Sequence, residues 1–264
     1  PGGAPARPGM NAAQMLESPR QAYLLWGIEP DFDVDNPARA LRALEQAETV
    51  IAVASFATDS LRAVADVILP LAPHAESEGS LVNFDGDFMP FAAAGKASGE
   101  ARSGWKILRK LGGELAIEGF AQVDLGAVQA DLRRALERGS VTAAEADLHD
   151  VTVAQGLWRI GEVAMYSVDP LCRRASPLQQ TVQAQSRFVG LNPADAGRLG
   201  LADGAMARVR QGEDPAAPWA EAEVRVTEEV PAGGVWLRSA TCDARMLGHA
   251  VAPVVVEPAA GRLA

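Results

Sequence analysis

Two cysteines and three histidines are the residues here best suited to metal or redox chemistry, and their spacing argues against both. An iron–sulfur cluster is ordinarily held by four thiolates, with histidine a rare substitute. Cys172 and Cys242 are isolated from each other in sequence and cannot supply a set. His74, His149 and His249 are scattered, and Cys242 with His249 lacks a CxxC or HxxxH partner, so no zinc site is expected. Cys172 stands beside Arg173 and Arg174, cations that would lower a thiol pKa and make it reactive. The favoured reading is plainer: a partly buried small apolar residue. A disulfide between the two cysteines stays open, although so few cysteines fit a reduced intracellular protein better.

Acid–base chemistry would need paired carboxylates beside a perturbing group. Glu76/Glu78 and Glu228/Glu229 lack one in sequence and read as solvated loop charges. No Gly-x-Gly-x-x-Gly or Walker pattern follows an expected strand, and Gly99–Gly104 and Gly112-Gly113 lack that context. Arg173-Arg174 is the one notable basic dipeptide in the second half. It is expected to pair with a carboxylate on the first half of the chain or on a neighbouring subunit. No catalytic, cofactor-binding or metal-binding residue is therefore assigned.

The elements that would position these residues fall into two groups. Ala22–Trp26 reads as a buried strand, followed by a loop, Gly27–Asn36, with four acidic residues. Asn36 before Pro37 is a strong helix start, with Leu41 and Leu44 apolar along the helix. Thr49–Ser55 is uncharged and rich in β-branched residues, as a strand covered on both faces should be. A short helix over Asp59–Ala65 and a strand Val67–Leu69, closed by Pro70, complete a parallel unit with right-handed crossovers. Asp85-Gly86 favours a tight turn. Helices are expected near Ser103–Leu115 and from Asp124, as N-cap, to Arg138. Trp105, Leu108, Leu111 and Leu115 on the first, and Leu125, Val128, Leu132 and Leu136 on the second, form stripes read as core.

The second half changes character. Ala222, Val224 and Val226 alternate with polar neighbours in the period of a half-buried strand. Asp203-Gly204 marks a turn before a strand Ala205–Arg210, and Pro231–Gly234 another before Val235–Leu237. One short helix lies among them, with Asn192 as N-cap, Pro193 first and Gly200 past the end. Short strands with a single short helix argue for a small closed barrel. Gln211–Ala220 reads as a surface insertion. The expected division is a linker over 1–20, an α/β domain over 21–140 and a barrel domain over 141–264, with the boundary in the polar stretch Gly139–Asp150.

Bulk properties are those of an ordinary globular protein of 264 residues, with 48% apolar and 22% charged residues. The net charge of −10 is shared between the halves, and no Lys/Arg cluster suited to phosphate backbones occurs. A nucleic-acid partner is not expected. No apolar run approaches the ~18 residues needed to span a bilayer, so no membrane insertion is expected either. The opening PGGAPARPG reads as linker, and the chain as part of something longer.

Several stretches carry a family resemblance. Ala65–Phe88 (ADVILPLAPHAESEGSLVNFDGDF) and Gly99–Gly112 (GEARSGWKILRKLG) resemble the molybdopterin-oxidoreductase superfamily, in which a strand ending "ADVVLP" precedes "E-x-G-T-x-x-N-x-E-G-R". Leu191–Gly212 and Ala222–Leu237 look like that superfamily's C-terminal dinucleotide-binding barrel, a double-psi β-barrel. Leu157–Thr181, with Tyr166, Asp169, Arg173, Arg174, Ala175, Leu178 and Gln179 in place, is similar to the large iron–sulfur subunits of bacterial NADH:quinone oxidoreductase, complex I. The resemblance runs from about residue 20 to residue 257.

The fold it implies is α/β: a parallel-sheet Rossmann-like domain, then a small double-psi-like barrel. It also implies [2Fe–2S] and [4Fe–4S] clusters upstream, carrying electrons from NADH and FMN towards quinone. The partners would be that iron–sulfur region and other peripheral-arm subunits, on the cytoplasmic side of the bacterial inner membrane, peripherally. Molybdopterin-binding relatives usually carry Thr, Glu and Arg where this chain has Ser80, Asp85 and Asp87. Loss of an arginine removes a bidentate donor, and Asp87 places negative charge where a pyrophosphate would lie, so molybdopterin is expected to be absent. The alternative is a true molybdenum oxidoreductase, such as a formate dehydrogenase or nitrate reductase, gripping a pterin dinucleotide with Asn83, Asp85, Asn192 and Asp195 near it.

Overall fold

The computed structural model describes residues 9–138, 155–185, 187–212, 217–241 and 244–259. Three parallel strands, β1 (Ala22–Trp26), β2 (Thr49–Ala54) and β3 (Val67–Pro70), pair in the order β1-β2-β3, with Leu24 opposite Ile51 and Ile51 opposite Val67. The expected parallel unit is present. Helix α1 (Ala12–Glu17) precedes it, α2 (Pro37–Glu45) joins β1 to β2, and α3 (Asp59–Val64) joins β2 to β3. Asn36 caps α2 by accepting from the Arg39 N–H at 3.0 Å, a contact of the kind worth ~1 kcal/mol. Tyr23, Leu25, Val50, Ala52 and Ala54 on one sheet face bury against Ala43 and Leu44 of α2 and Leu61 of α3.

Within the span 1–20 expected as linker, residues 12–17 are helical. Asn11 and Gln14 form a reciprocal capping box, and Met15 and Leu16 pack against the sheet core. An opening rich in Pro and Gly hid a cap signal that lay just beyond it.

A hairpin follows, β4 (Gly79–Val82) antiparallel to β5 (Phe88–Phe91), turning at Asn83–Asp87 with Gly86 at φ 87°. The Asp85-Gly86 turn is where the sequence puts it. Helices α4 (Gly104–Glu114) and α5 (Leu125–Arg138) come next, and Asp124 caps α5 through the Ala127 N–H at 2.8 Å. The α4 stripe is a correction: Trp105 and Leu111 are half-buried, but Leu108 and Leu115 are exposed. Periodicity names the apolar side of a helix, not whether a neighbour covers it. On α5 the four stripe residues are half-buried.

The expected closed barrel is observed. Strands β6 (Leu157–Ile160), β7 (Phe188–Leu191), β8 (Met206–Gln211), β9 (Trp219–Val226), β10 (Gly234–Trp236) and β11 (Val251–Pro258) close in the order β10-β6-β11-β8-β9-β7. The β6–β10 and β7–β9 pairs are parallel and the others antiparallel. Val189, Leu191, Val209, Val224, Val235 and Val256 fill its interior. Three short helices, α6 (Pro170–Arg174), α7 (Ser176–Gln179) and α8 (Val182–Gln185), lie between β6 and β7, and α9 (Pro193–Leu199) follows β7. Gly200 ends α9 in the left-handed region at φ 69°, as its position implied.

The expected insertion at Gln211–Ala220 is shorter than the sequence suggests. Gln211 belongs to β8, where it pairs with Val254 of β11, and Trp219 and Ala220 belong to β9, where they pair with Arg210 and Val209. The proposed domain boundary at Gly139–Asp150, His149 and Cys242 lie outside the described residues. Among the described residues no helix is long and apolar enough to cross a membrane.

A candidate functional site where the sheet meets the barrel

Ligands of open α/β sheets bind outside the carboxyl ends of the strands. At that end Gly27, at φ 64°, turns the chain out of β1 into the acidic loop. The loop folds on itself: the Phe32 and Asp33 N–H groups donate to the Glu29 carbonyl at 2.9 and 2.8 Å, and the Glu29 N–H donates to Asp33 Oδ2 at 2.7 Å. Asp31, almost buried, accepts from the Ser60 hydroxyl at the start of α3 at 2.8 Å. Glu29 and Asp33 are thereby aimed together at the segment that connects β6 to β7.

That segment presents both arginines. Asp169 caps α6, accepting from the Leu171 and Cys172 N–H groups at 2.8 and 2.9 Å. Arg173 pairs through Nε with Glu29 at 3.0 Å and through a terminal nitrogen with Asp33 at 2.8 Å, and donates to the Ser167 carbonyl at 2.8 Å. Arg174 pairs with the other Glu29 oxygen at 2.7 Å and donates to the Pro170 carbonyl at 2.9 Å. Phe32 and Phe56 lie under the two guanidinium groups, with centroids at 5.1 and 4.2 Å. The basic dipeptide does meet carboxylates on the sheet half of the chain. Two cations against two carboxylates balance the charge of these four side chains, and a cleft of about 260 Å3 beside them is lined by Arg173, Arg174 and Arg187.

A second contact lies beside the first. Asp35 accepts from the His249 imidazole Nδ1 and from the Ala250 N–H, the latter at 3.2 Å. Burial alone would raise the Asp35 pKa, but the His249 hydrogen bond, the Ala250 N–H and the charges of His249 and Arg159 together lower it. Arg159 of β6 is buried at 1% exposure. It donates to the carbonyls of Leu237, Arg238, Gly248 and His249 and to the Ser239 hydroxyl, at 3.0–3.3 Å. Burial brings its pKa down to about 10, with Asp35 opposing, so it is charged at neutral pH.

Several expectations resolve differently. Glu78 is no free loop charge: it accepts from the Ser103 hydroxyl and the Trp105 indole at 3.2 Å and pairs with Lys106 at 3.0 Å. The Lys106 contact leads in lowering its pKa. Glu76 accepts from the Ser98 N–H at 2.9 Å, while Glu228 and Glu229 are exposed as expected. The Cys172 thiol is raised, not lowered, because its hydrogen bond to Asp169 and that carboxylate's charge outweigh Arg173. It is half-buried, in keeping with the plainer reading.

Asn83 and Asp85 lie at the hairpin turn, whereas Asn192 and Asp195 serve α9. Asn192 donates to the Val230 carbonyl at 3.0 Å, and Asp195 accepts from the Gly233 N–H and Arg198 at 2.7 Å. No hydrogen bond or ion pair joins these two groups among the described residues. Sequence reasoning missed Glu29, Asp35 and Arg159 as individual contacts. The available signals were the acidic residues at every second position of the loop (29, 31, 33, 35) and an arginine in an apolar strand.

A cleft of about 260 Å3 remains at the strand ends, reached by Gly27, Glu29, Ser55, Phe56, His74 and Asp169. Among the described residues no group of three His, Cys, Asp or Glu side chains is placed to hold a metal ion.

Comparison with known proteins gives three relationships. Residues 4–114 match the family model of molybdopterin oxidoreductases. The NADPH-Fe(3+) oxidoreductase subunit alpha of Geobacter sulfurreducens, in strains DL-1/KN400 and ATCC 51573/DSM 12127/PCA, is 25% identical over 228 residues, covering 79% of this chain and 26% of the relative. The chain thus spans about a quarter of the length of these curated relatives. Acetylene hydratase from Pelobacter acetylenicus superimposes with a TM-score of 0.61 at 11% identity, over 94% of this chain and 46% of that one, and so shares the fold.

Proposed function

Taking residues 4–114 as a molybdopterin oxidoreductase domain, we propose that this chain is the structural C-terminal portion of the large iron–sulfur subunit of a bacterial NADH:quinone oxidoreductase. In this reading it braces a region of [2Fe–2S] and [4Fe–4S] clusters upstream and meets other peripheral-arm subunits on the cytoplasmic side of the membrane. The barrel would be of the double-psi kind.

The observation that carries the reading is the neutral lock of Arg173 and Arg174 on Glu29 and Asp33. A pterin dinucleotide brings a pyrophosphate, and a site for it would offer unpaired cations or convergent N–H donors. The cleft at the strand ends instead has Glu29 and Asp169 against the single imidazole of His74. Asp87, at the hairpin turn, accepts from Asn83 at 3.0 Å and adds negative charge there. The charge of this cleft and of the hairpin turn disfavours a pyrophosphate at either place, which supports this reading. The four paired side chains of the lock hold two layers in one orientation.

A second reading, a molybdopterin-dependent oxidoreductase, is favoured by the family match over residues 4–114 and by the presence of a cleft at the strand ends. Metal analysis of the intact oxidoreductase separates the two. Several iron atoms per subunit without molybdenum are expected; stoichiometric molybdenum would reject the first reading.

A further inference from the structure

The hairpin β4–β5 has two faces, set by its register. Ser80 and Phe88 face α5: Gln129 donates to the Ser80 hydroxyl at 2.9 Å, and the Arg133 guanidinium lies 3.8 Å from the Phe88 ring centre. The opposite face carries Leu81 directly across from Met89, and Phe91 folded over Gly79, all exposed. Phe84 at the tip is fully exposed. Two-stranded hairpins are marginal alone; α5 covers Ser80 and Phe88 of one face, leaving Val82 at its edge exposed, and nothing among the described residues buries the other face. A contiguous apolar patch on a soluble protein marks a contact surface.

Charge decides among the occupants. Asp85 and Asp87 follow Phe84 at the exposed tip, on a chain of net charge −10. A second copy would bring the same acidic tip and the same net charge, so self-association is opposed. An anionic membrane surface is opposed in the same way. An apolar surface rimmed by Lys or Arg is complementary on both counts.

We infer that the outer face of β4–β5 docks against a basic-rimmed apolar surface in the remainder of the oxidoreductase. This rests on the reading of the chain as one portion of a larger subunit; the curated relatives carry about three quarters of their length outside the matched region.

The test is photo-cross-linking in the intact oxidoreductase, with Phe84 replaced by benzoylphenylalanine and the joined peptides mapped by mass spectrometry. The expected product joins position 84 to an apolar segment containing Lys or Arg outside these 264 residues. A product within this chain, a product with a second copy, or no protein product would each overturn the inference. The double substitution Asp85→Lys and Asp87→Lys, at two exposed positions, should lower the yield several-fold with circular dichroism unchanged; an undiminished yield would remove the charge argument. Iron and molybdenum are measured on the same preparation. A correct cross-link with stoichiometric molybdenum rejects only the proposed function, and iron clusters without the cross-link reject only the docking face.

Discussion

The Arg173 side chain, on a helix of the barrel half, and the Glu29 side chain, in a loop of the sheet half, form an ion pair at 3.0 Å with only 9% and 3% of their surfaces exposed. Burial makes this contact asymmetric. Forming it costs desolvation close to what attraction returns, whereas removing one partner strands a charge away from water.

Glu29→Ala should therefore destabilise the protein by up to ~3–5 kcal/mol, because it leaves Arg173 with Asp33 alone and takes from Arg174 the carboxylate it pairs with. Glu29→Ala combined with Arg173→Met should recover a large part of that loss. Urea unfolding of the single and double variants measures both, and a single variant within ~0.5 kcal/mol of the parent would show that the lock bears no weight.

Arg159 makes a different prediction, because its partners are four backbone carbonyls and a hydroxyl, with no carboxylate in direct contact. Arg159→Met leaves those acceptors buried without donors, at ~1–3 kcal/mol for each that water cannot reach. Arg159→Lys should rescue little, since a point ammonium cannot reproduce a planar fork of donors. Hydrogen exchange should show faster opening of the loop around Gly248–Ala250 in both variants.

The Asp35–His249 contact gives a pH dependence with a definite sign. The Asp35 carboxyl has a lower pKa folded than unfolded, so its contribution is complete above the unfolded value of about 3.8 and is lost as pH falls through the folded value. Both side chains are more than half exposed, so the effect is modest. Asp35→Asn should flatten the fall of the unfolding midpoint below about pH 4, and leave the midpoint at pH 7 only slightly lower. An unchanged acid limb would assign that fall to other carboxylates.

Adjacent glycines in α4 should respond in opposite directions. A Cβ at Gly112 would run into the Phe120 ring, whereas one at Gly113 meets nothing within 4 Å. Gly112→Ala should cost ~1–3 kcal/mol by overpacking, and Gly113→Ala should gain ~0.5–1 kcal/mol from helix propensity. Thermal denaturation of the two variants reads the contrast.

What the residues determined alone was local. Asn36-Pro37 starts α2 and Asn192-Pro193 starts α9; β-branched runs form β2, and alternation forms β9. These are decided by dihedral preference, capping and period, all contained within a few neighbours. β11 was not legible in the same way, because Pro253 interrupts its apolar run and only pairing with β6 and β8 makes it a strand. Tertiary structure decided the rest: that Leu108 and Leu115 stay exposed, and that Cys172 answers to Asp169 more than to its adjacent arginines. It also brought Glu29 to Arg173 across 144 residues of chain. Burial and ionisation are properties of what surrounds a side chain in space, and a linear chain does not specify its surroundings until it has folded.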